Sequence, residues 1–458
     1  MSSESTIASG GKALRWYQGL DRYCWLVMVV AGMGWLFDTM DQNLFNLVRN
    51  PSLKEILGQQ FTDPEVLKGE VTLWGGRITA LFLLGWATGG FLFGVLGDRL
   101  GRTRTMILTI LMYALFTGLT AFAHSLWFYA VARFLTGMGV GGEFAAGAAL
   151  VAETFPARSR TMALGLLQAL STVGNMIAAL ITLAIGDLET GRFWLLGQQW
   201  SGWRLTFLIG ALPALLVVWI RSSLKEPPAW REQKARAAAG EAGAKPLGNM
   251  LELFTNRTLL RRAVAGCLIA TAGVGALWGV GNFSLDLISQ KTRELTPTDA
   301  GRLKSFIFLL QQLGGFVGIY LFALAAVRFG RRPTFIVSFV LTLVSIAVFF
   351  WTVQSTMNFA FWALVLAPFL GLGTLGPFGG FSIYFPELFP TRLRSTGTGF
   401  CYNTARYLAA GAPFALGGLA RVYDYATAAT IVSSVVILGI IGALIGPETK
   451  DQPLPEHL

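Results

Sequence analysis

Long apolar runs separated by short charged loops set the pattern of the chain. Because a helix rises about 1.5 Å per residue and a bilayer's hydrocarbon core is about 30 Å thick, about 20 apolar residues can cross it. Five runs contain isolated charges or are short, namely 25–48, 73–96, 126–151, 205–220 and 397–419. Seven windows near that length carry no charged side chain: 105–123, 162–185, 263–285, 305–327, 334–353, 359–385 and 426–445. The pattern predicts an all-α membrane protein with twelve transmembrane helices.

The composition agrees with this pattern. The chain is 53% hydrophobic and only 13% charged, which is too little charge for the surface of a soluble protein of 458 residues. The net charge of +11 does not indicate nucleic-acid binding, because the basic residues form no patch. Of the 36 Lys and Arg residues, 23 fall in segments that would lie on one side of a twelve-helix bundle. Positive residues prefer the cytoplasmic side, so we expect both termini in the cytoplasm.

Two short signatures occur twice, at a spacing of about 230 residues. The sequence GVLGDRLGRTR at 94–104 has a degraded copy, VRFGRR, at 327–332, and ETFPARSR at 153–160 returns as ELFPTRLR at 387–394. Duplication inside so apolar a chain predicts two homologous halves, the architecture of an alternating-access transporter.

The halves are predicted at 1–220 and 263–458. A polar, alanine-rich linker at 221–262 interrupts the six-plus-six pattern and is expected in the cytoplasm. The three cysteines show no paired spacing, so we expect neither a disulfide framework nor a metal site.

These segments carry a family likeness. The sequence at 94–104 resembles the loop 2–3 signature of the major facilitator superfamily, and RFLTGMGVGG at 133–142 resembles its helix 4 motif. The sequences EPPAW at 226–230 and PETK at 447–450 resemble the paired segments that follow helices 6 and 12 in sugar porters. The likeness implies two pseudo-symmetric six-helix bundles and secondary transport.

Within the superfamily, three shorter features look like the metabolite:proton and sialate:proton symporters, with the aromatic-acid:proton group close. They are Gly142-Glu143, ETFP at 153–156 and Asn403-x2-Arg406.

Four ionisable residues fall inside predicted helices and are the candidates for proton coupling: Asp38, Asp41, Arg133 and Glu143. A charged side chain near the bilayer centre costs about 3 kcal/mol, so each needs a partner or a water-lined cavity. Counted from Val48 and Leu126, Asp38 lies about 15 Å and Arg133 about 10 Å below the outer face.

Asp38 matches the helix 1 aspartate of sugar porters, which in that family pairs with the helix 4 arginine matching Arg133. We therefore expect an Asp38–Arg133 coupling pair, with a static buried ion pair as the alternative. Asp41 is either a second carboxylate of the proton carrier or a residue facing the vestibule. Glu143 is either a second protonation site, a substrate contact or a hydrogen-bond partner locked by packing.

Arg406 lies near mid-membrane with no acidic residue in its own predicted helix. Since the planar guanidinium suits a carboxylate, we expect Arg406 to bind the substrate's carboxylate, with Asn403 or Tyr402 nearby. An interhelical pair with Glu143 is the alternative. The remaining candidates for substrate binding are Arg77, which could instead anchor at the interface, and Gln312 and Gln168, which could instead bond between helices.

The duplicated signatures supply matched acids and arginines that could close the inner mouth as an ion network. Topology-setting basic loops would explain the arginines but not the acids. Val327 stands where the second copy should carry an aspartate, so its lock is expected to be weaker. The predicted gate residues are Asp98, Arg99, Arg102, Glu153, Arg158, Glu226, Arg331, Glu387, Arg392 and Glu448.

The sequence favours a proton-coupled symporter for a small organic anion, with a carboxylate as the expected substrate. The alternative is a sugar or polyol porter, and sodium coupling stays open because Asp38 and Asp41 could hold a cation. We find no nucleophile–base spacing, metal cluster or phosphate loop, so neither an enzyme nor a cofactor is expected. The expected partners are the substrate, protons and the lipid of a plasma (cell inner) membrane, and the expected state is a monomer.

Overall fold

The computed structural model describes residues 15–185, 192–195, 197–213, 223–241, 245–279, 281–292, 296–409, 419 and 422–456. Ten helical segments within them are long and apolar enough to cross a membrane. The predicted all-α fold is confirmed. The other two predicted helices, at 205–220 and 397–419, extend beyond the described residues.

The helices of the first part of the chain are α1 (Arg22–Leu57), α2 (Pro64–Arg99), α3 (Arg102–Thr120), α4 (Leu126–Thr154), α5 (Ala157–Ile185) and α6 (Gly202–Gly210). Strands β1 (Arg192–Leu195) and β2 (Gln198–Ser201) form a small antiparallel hairpin in which Arg192 pairs with Ser201. Two short helices follow in the linker, α7 (Pro228–Ala238) and α8 (Glu252–Thr255).

The later helices are α9 (Arg257–Gly279), α10 (Ser284–Lys291), α11 (Pro297–Phe329), α12 (Arg331–Ser355), α13 (Phe359–Leu388), α14 (Arg394–Ala409), α15 (Tyr425–Ser433) and α16 (Val436–Ile445). The predicted helix at 263–285 is wrong as one continuous element, because a 3₁₀ turn at Gly281–Phe283 separates α9 from α10. The glycines at 279 and 281 disfavour a helix interior, which explains the break.

The helices pack as two groups that meet along two seams. In the first group α2 and α3 pack on α4, and α1 packs on α5; in the second, α11 and α12 pack on α13, and α9 packs on α14 and α16. The seams join α2 to α14 and α5 to α11.

Close backbone contact inside each group depends on glycine. A Cβ at Gly141 would clash with the Trp86 carbonyl oxygen, and one at Gly371 would clash with that of Gln311. Small residues bring helices together where lipid provides no apolar driving force.

Candidate functional site

A cavity lies where α1, α2 and α5 face α9, α11, α13 and α14. A cavity between the helices of a bundle is a common place for a small-molecule site. Its lining consists of Arg406 and of aromatic, amide, hydroxyl and aliphatic side chains. These other residues are Trp35, Thr39, Gln42, Asn43, Asn46, Trp86, Gln168, Ser171, Asn175, Leu277, Trp278, Phe308, Gln312, Leu375, Phe378 and Tyr402.

Arg406 is buried in the cavity wall between two aromatic rings. Its guanidinium carbon lies 3.9 Å from the centre of the Trp86 ring and 4.0 Å from that of Tyr402. Its Nη1 donates to the Tyr402 carbonyl oxygen (3.1 Å) and to Asn403 Oδ1 (3.0 Å). The buried Nε has no hydrogen-bond partner among the described residues. The structure therefore leaves one edge of the guanidinium to bind a ligand.

The alternative pairing of Arg406 with Glu143 is wrong in this structure. Glu143 Oε2 accepts from the Thr109 hydroxyl (2.7 Å), and its Oε1 lies against Gly34 with no hydrogen-bond partner among the described residues. Glu143 is thus buried beside α1, and it does not line the cavity.

Other predicted binding residues divide into two sets. Tyr402, Gln312 and Gln168 line the cavity. Asn403 does not line it; its amide donates to the Gly399 carbonyl oxygen (2.8 Å) and its Oδ1 orients Arg406. Arg77 is exposed and stacks on Trp74 at 4.7 Å, so its expected contact with the substrate is wrong and its alternative as an anchor fits.

A chain of three amides crosses the cavity, and sequence reasoning missed two of its members. Asn43 Nδ2 donates to Asn175 Oδ1 (2.5 Å), and Asn175 Nδ2 donates to Gln312 Oε1 (2.8 Å), which joins the two helix groups. Gln42, Asn43 and Asn46 recur at helical spacing within an apolar helix, and this signal could have identified them.

Arg133 pairs with Asp41, and the expected Asp38–Arg133 pair is wrong. The distance from Arg133 Nη1 to Asp41 Oδ2 is 3.7 Å, and the Thr117 hydroxyl donates to Asp41 Oδ1 (2.7 Å). Counted from the helix ends that the sequence predicts, Val48 and Leu126, Asp41 and Arg133 each lie seven residues in, or about 10 Å at 1.5 Å per residue. Depth alone therefore matches Arg133 better to Asp41 than to Asp38.

Hydroxyl groups complete the surroundings of the Arg133 guanidinium. It donates to Thr117 (3.1 Å), to Thr120 (3.1 and 3.3 Å) and to Thr136 (3.0 Å). This set of bonds holds the cation in place beside Asp41 and away from the cavity.

Asp38 is fully buried, one residue from the cavity-lining Thr39. Neither of its carboxyl oxygens has a hydrogen-bond partner among the described residues. Its electrostatic neighbours are Glu143, Asp41 and Arg406. An ionised carboxylate without hydrogen bonds is costly in such a place, so the geometry suits a group that binds a proton.

The loops 99–104, 155–160, 328–332 and 389–394 lie at one end of the bundle, which we call the basic end. The first copy of the duplicated signature forms an ion network there. Arg102 contacts Glu153 through two nitrogens (3.1 and 2.8 Å) and lies 3.1 Å from Asp98. Glu153 also pairs with Arg394 across the seam (2.7 Å). Arg394 is the member that sequence reasoning left out, although it closes the repeated signature at 387–394.

Two of these groups also hold the seam through backbone atoms. Arg102 donates to the Thr391 carbonyl oxygen (2.7 Å). Asp98 accepts from the backbone N–H groups of Ser395 (3.2 Å) and Thr396 (2.8 Å), and from the Thr396 hydroxyl (2.6 Å).

The second copy repeats part of this geometry. Arg331 contacts Glu387 through two nitrogens (3.0 and 2.8 Å) and donates to the Thr161 hydroxyl across the other seam (2.8 Å). Two glutamates cap the helices that begin here. Glu226 accepts from the N–H of Arg102 (2.7 Å), and Glu448 accepts from those of Arg331 (2.9 Å) and Arg332.

Three further predicted gate residues make contacts outside these ion networks. Arg158 donates to the Gln18 carbonyl oxygen (2.5 Å), and Arg99 donates to that of Leu247 (3.4 Å). Arg392 pairs with Glu252 in the linker. Burial raises the pKa of Glu252. Hydrogen bonds from Arg392 and Lys245 lower this pKa by more than burial raises it, so it lies below its ordinary value.

The comparisons with known proteins agree with this fold. The family described as Major Facilitator Superfamily matches residues 25–414. The probable 4-methylmuconolactone transporter of Cupriavidus pinatubonensis is 29% identical over 91% of this chain and 89% of its own. The sialic acid transporter NanX of Escherichia coli is 28% identical over 85% of this chain and 86% of its own.

A solved structure shows the same fold. It is the proton:xylose symporter XylE bound to 6-bromo-6-deoxy-D-glucose, which superposes with a TM-score of 0.70 at 18% identity and covers 94% of this chain and 98% of that one. With the family match and the cavity between two helix groups, these findings show that the chain belongs to the major facilitator superfamily and is a multi-pass membrane transporter of a small molecule.

Proposed function

We propose that the protein carries a small organic anion across the membrane in symport with a proton, by alternating access. The observation that carries the proposal is Arg406, a buried guanidinium that lines the cavity and has no acidic partner among the described residues. A buried cation without a counter-ion is costly, and a carboxylate in the cavity would compensate it. The planar fork favours carboxylates over rounder anions.

We propose that the proton binds Asp38 alone, in place of the Asp38–Arg133 coupling pair that the sequence predicts. When ionised, Asp38 partly neutralises Arg406, because the two interact electrostatically. When protonated, it leaves the full charge of Arg406 to the substrate. Proton and anion therefore strengthen each other's binding, and this coupling is reciprocal by linkage.

The moving parts are proposed to be the two halves 1–220 and 263–458, joined by the linker 221–262. In this structure the ion networks hold them together at the basic end, which we assign to the cytoplasm together with both termini. The relatives' names support an acidic substrate, since one transports sialic acid and another is a probable muconolactone transporter. A monomer in the cell inner membrane is sufficient for this cycle.

Purified protein in liposomes with an imposed pH gradient tests the proposal. Labelled carboxylates should accumulate inside, and Asp38→Asn should abolish accumulation while exchange of internal for external substrate continues. Arg406→Ala should lower affinity at least tenfold in both assays. The matched control is Asp424→Asn, which changes an exposed helix cap that does not line the cavity. Normal accumulation by Asp38→Asn, or normal affinity in Arg406→Ala, would overturn the corresponding assignment.

A sugar or polyol porter is the second candidate. It is favoured by the amide side chains of the cavity, which can bond hydroxyl groups. In that case labelled sugars would be taken up, and Arg406→Ala would leave their affinity unchanged.

A further inference from the structure

The cavity has one charged side chain among its seventeen described lining residues, and that side chain is Arg406. We infer that the site accepts one carboxylate only: its substrate is a monoanion whose remaining polar groups are neutral hydrogen-bonding groups, and dicarboxylates are excluded. This inference rests on the proposed function, because it assumes that Arg406 binds the substrate's carboxylate.

The other arginines that the structure describes in this region are not available to a second carboxylate. Arg133 is held by Asp41 and three threonine hydroxyls and does not line the cavity. Arg49 donates to the Thr79 hydroxyl (2.8 Å), and Arg77 stacks on a tryptophan at an exposed position. Neither lines the cavity.

The nearest buried ionisable groups supply no cation to a second carboxylate. Asp38 and Glu143 are acids that do not line the cavity; they interact electrostatically with each other, and Asp38 also interacts with Arg406. A second ionised carboxylate would therefore lose its water without gaining a cation. Exclusion by an unpaired charge is an effective source of specificity.

The rest of the polar lining consists of groups that bond neutral partners. Six amide side chains line the cavity, and each offers both donors and an acceptor: Gln42, Asn43, Asn46, Gln168, Asn175 and Gln312. Gln168 is 3% exposed, and its Oε1 has no hydrogen-bond partner among the described residues. Such an acceptor selects a hydroxyl or N–H on the substrate and repels a carboxylate.

The aromatic lining indicates where the neutral part of the substrate lies. Trp35, Trp86, Trp278, Phe308 and Phe378 share the cavity with the amides. Flat apolar faces beside hydrogen-bonding amides suit a compact body with one or more hydroxyl, carbonyl or amide groups. The substrate class is then a hydroxy-, oxo- or amide-bearing monocarboxylic acid.

Binding of matched acid pairs to the full-length protein in nanodiscs tests this at pH 7, where every carboxyl of the probes is ionised. The probes are gluconate against glucarate and 4-hydroxybenzoate against terephthalate, since each pair differs by replacement of a neutral end with a second carboxylate. Quenching of tryptophan fluorescence reports occupancy. In each pair that binds, we expect the monoacid to bind at least a hundredfold more tightly.

A gain-of-function variant makes the test independent of any loss of folding. Gln42→Lys adds a cation to the lining and should admit the diacid of the pair, while the matched control Gln42→Met should not. Equal binding of monoacid and diacid by the unchanged protein would overturn the inference and leave the proposed function standing. If neither kind of acid binds but sugars do, the proposed function itself is overturned.

Discussion

The two copies of the duplicated signature at the basic end have the same local structure but different contacts across the seams. In both, a glycine with positive φ (Gly101, 119°; Gly330, 99°) precedes a helix that begins with an arginine. In both, that arginine contacts a glutamate through two nitrogens. Local sequence thus builds the same unit twice, since only glycine adopts such φ values without strain.

The difference lies at the position of Asp98 and Val327. Asp98 is fully buried and accepts three hydrogen bonds from the start of α14, whereas Val327 is 43% exposed. The linker adds to the first copy as well, because Trp230 Nε1 donates to the Asp98 carbonyl oxygen (2.6 Å). We therefore propose that the charged contacts across the α2–α14 seam make it the main lock. At this end of the α5–α11 seam, Arg331 donates to the uncharged Thr161 hydroxyl.

Asp98→Asn should have the largest effect on this asymmetry. Asparagine cannot accept the same set of bonds and leaves Arg102 with less compensating charge. Removing one partner of a buried charge network costs about 3 kcal/mol, so the open basic end should gain more than a hundredfold in population. Double electron–electron resonance measures the distance between spin labels, and labels at the exposed positions Arg104 and Phe329 would report the population of the open state.

Val327→Asp is the matched control for that experiment. Because Val327 is partly exposed, a new carboxylate there would stay solvated. It could gain at most a half-exposed pair with Arg331 one turn away, and since Arg331 is already bonded to Glu387 and Thr161, this pair is worth only about 0.5 kcal/mol. We expect less than a threefold change in the open population. A shift as large as that of Asp98→Asn would show that the two seams are equivalent.

Arg394→Gln should have the next largest effect. It removes the Arg394–Glu153 pair across the seam but leaves Glu153 its bonds to Arg102, so we expect about a tenfold gain of the open state, or about 1.4 kcal/mol. Arg160 occupies the same place in the first copy and donates to Ala152 of its own half (2.8 Å). Arg160→Gln should therefore move the same resonance distances less; an equal effect would contradict the comparison.

Glu226→Gln and Glu448→Gln should have small and similar effects, because the two caps are alike. Each loses the charge that faces a helix N-terminus, which costs about 1 kcal/mol. Thermal unfolding in detergent should show melting temperatures lower by about 2 °C in both variants. A much larger loss in one of them would show that the asymmetry extends to the caps.

The smallest effect concerns pH. Burial raises the pKa of Glu448. Hydrogen bonds from the backbone N–H groups of Arg331, Arg332, Lys450 and Thr449 together lower this pKa by more than burial raises it, so it lies below its ordinary value of 4.5. A carboxyl whose pKa is lower in the folded chain than in the unfolded chain stabilises the fold at pH values above its unfolded pKa. This stabilisation is lost as the pH falls through its folded pKa. The difference in melting temperature between the unchanged protein and Glu448→Gln should shrink below about pH 4.5. If the difference in melting temperature stays constant with pH, the charge of Glu448 is not what stabilises the helix.

The sequence determined the membrane class and much of the helix layout, because hydropathy and the rise of a helix are local properties. It also identified Arg406 as a cation without an acid in its own helix, and it marked both copies of the basic signature. The break between α9 and α10 was missed, since charge-free length alone does not report a turn at glycine.

Only the tertiary structure decided which side chains meet. Asp38 and Asp41 are three residues apart on α1, and the packing of α1 on α4 turns Asp41 toward Arg133. Asn43, Asn175 and Gln312 come from three helices, so no local pattern unites them into one chain of bonds. The rotation of each helix about its axis follows from how all the helices pack together, and that is why the partners of its buried charges and amides could not be predicted from the chain alone.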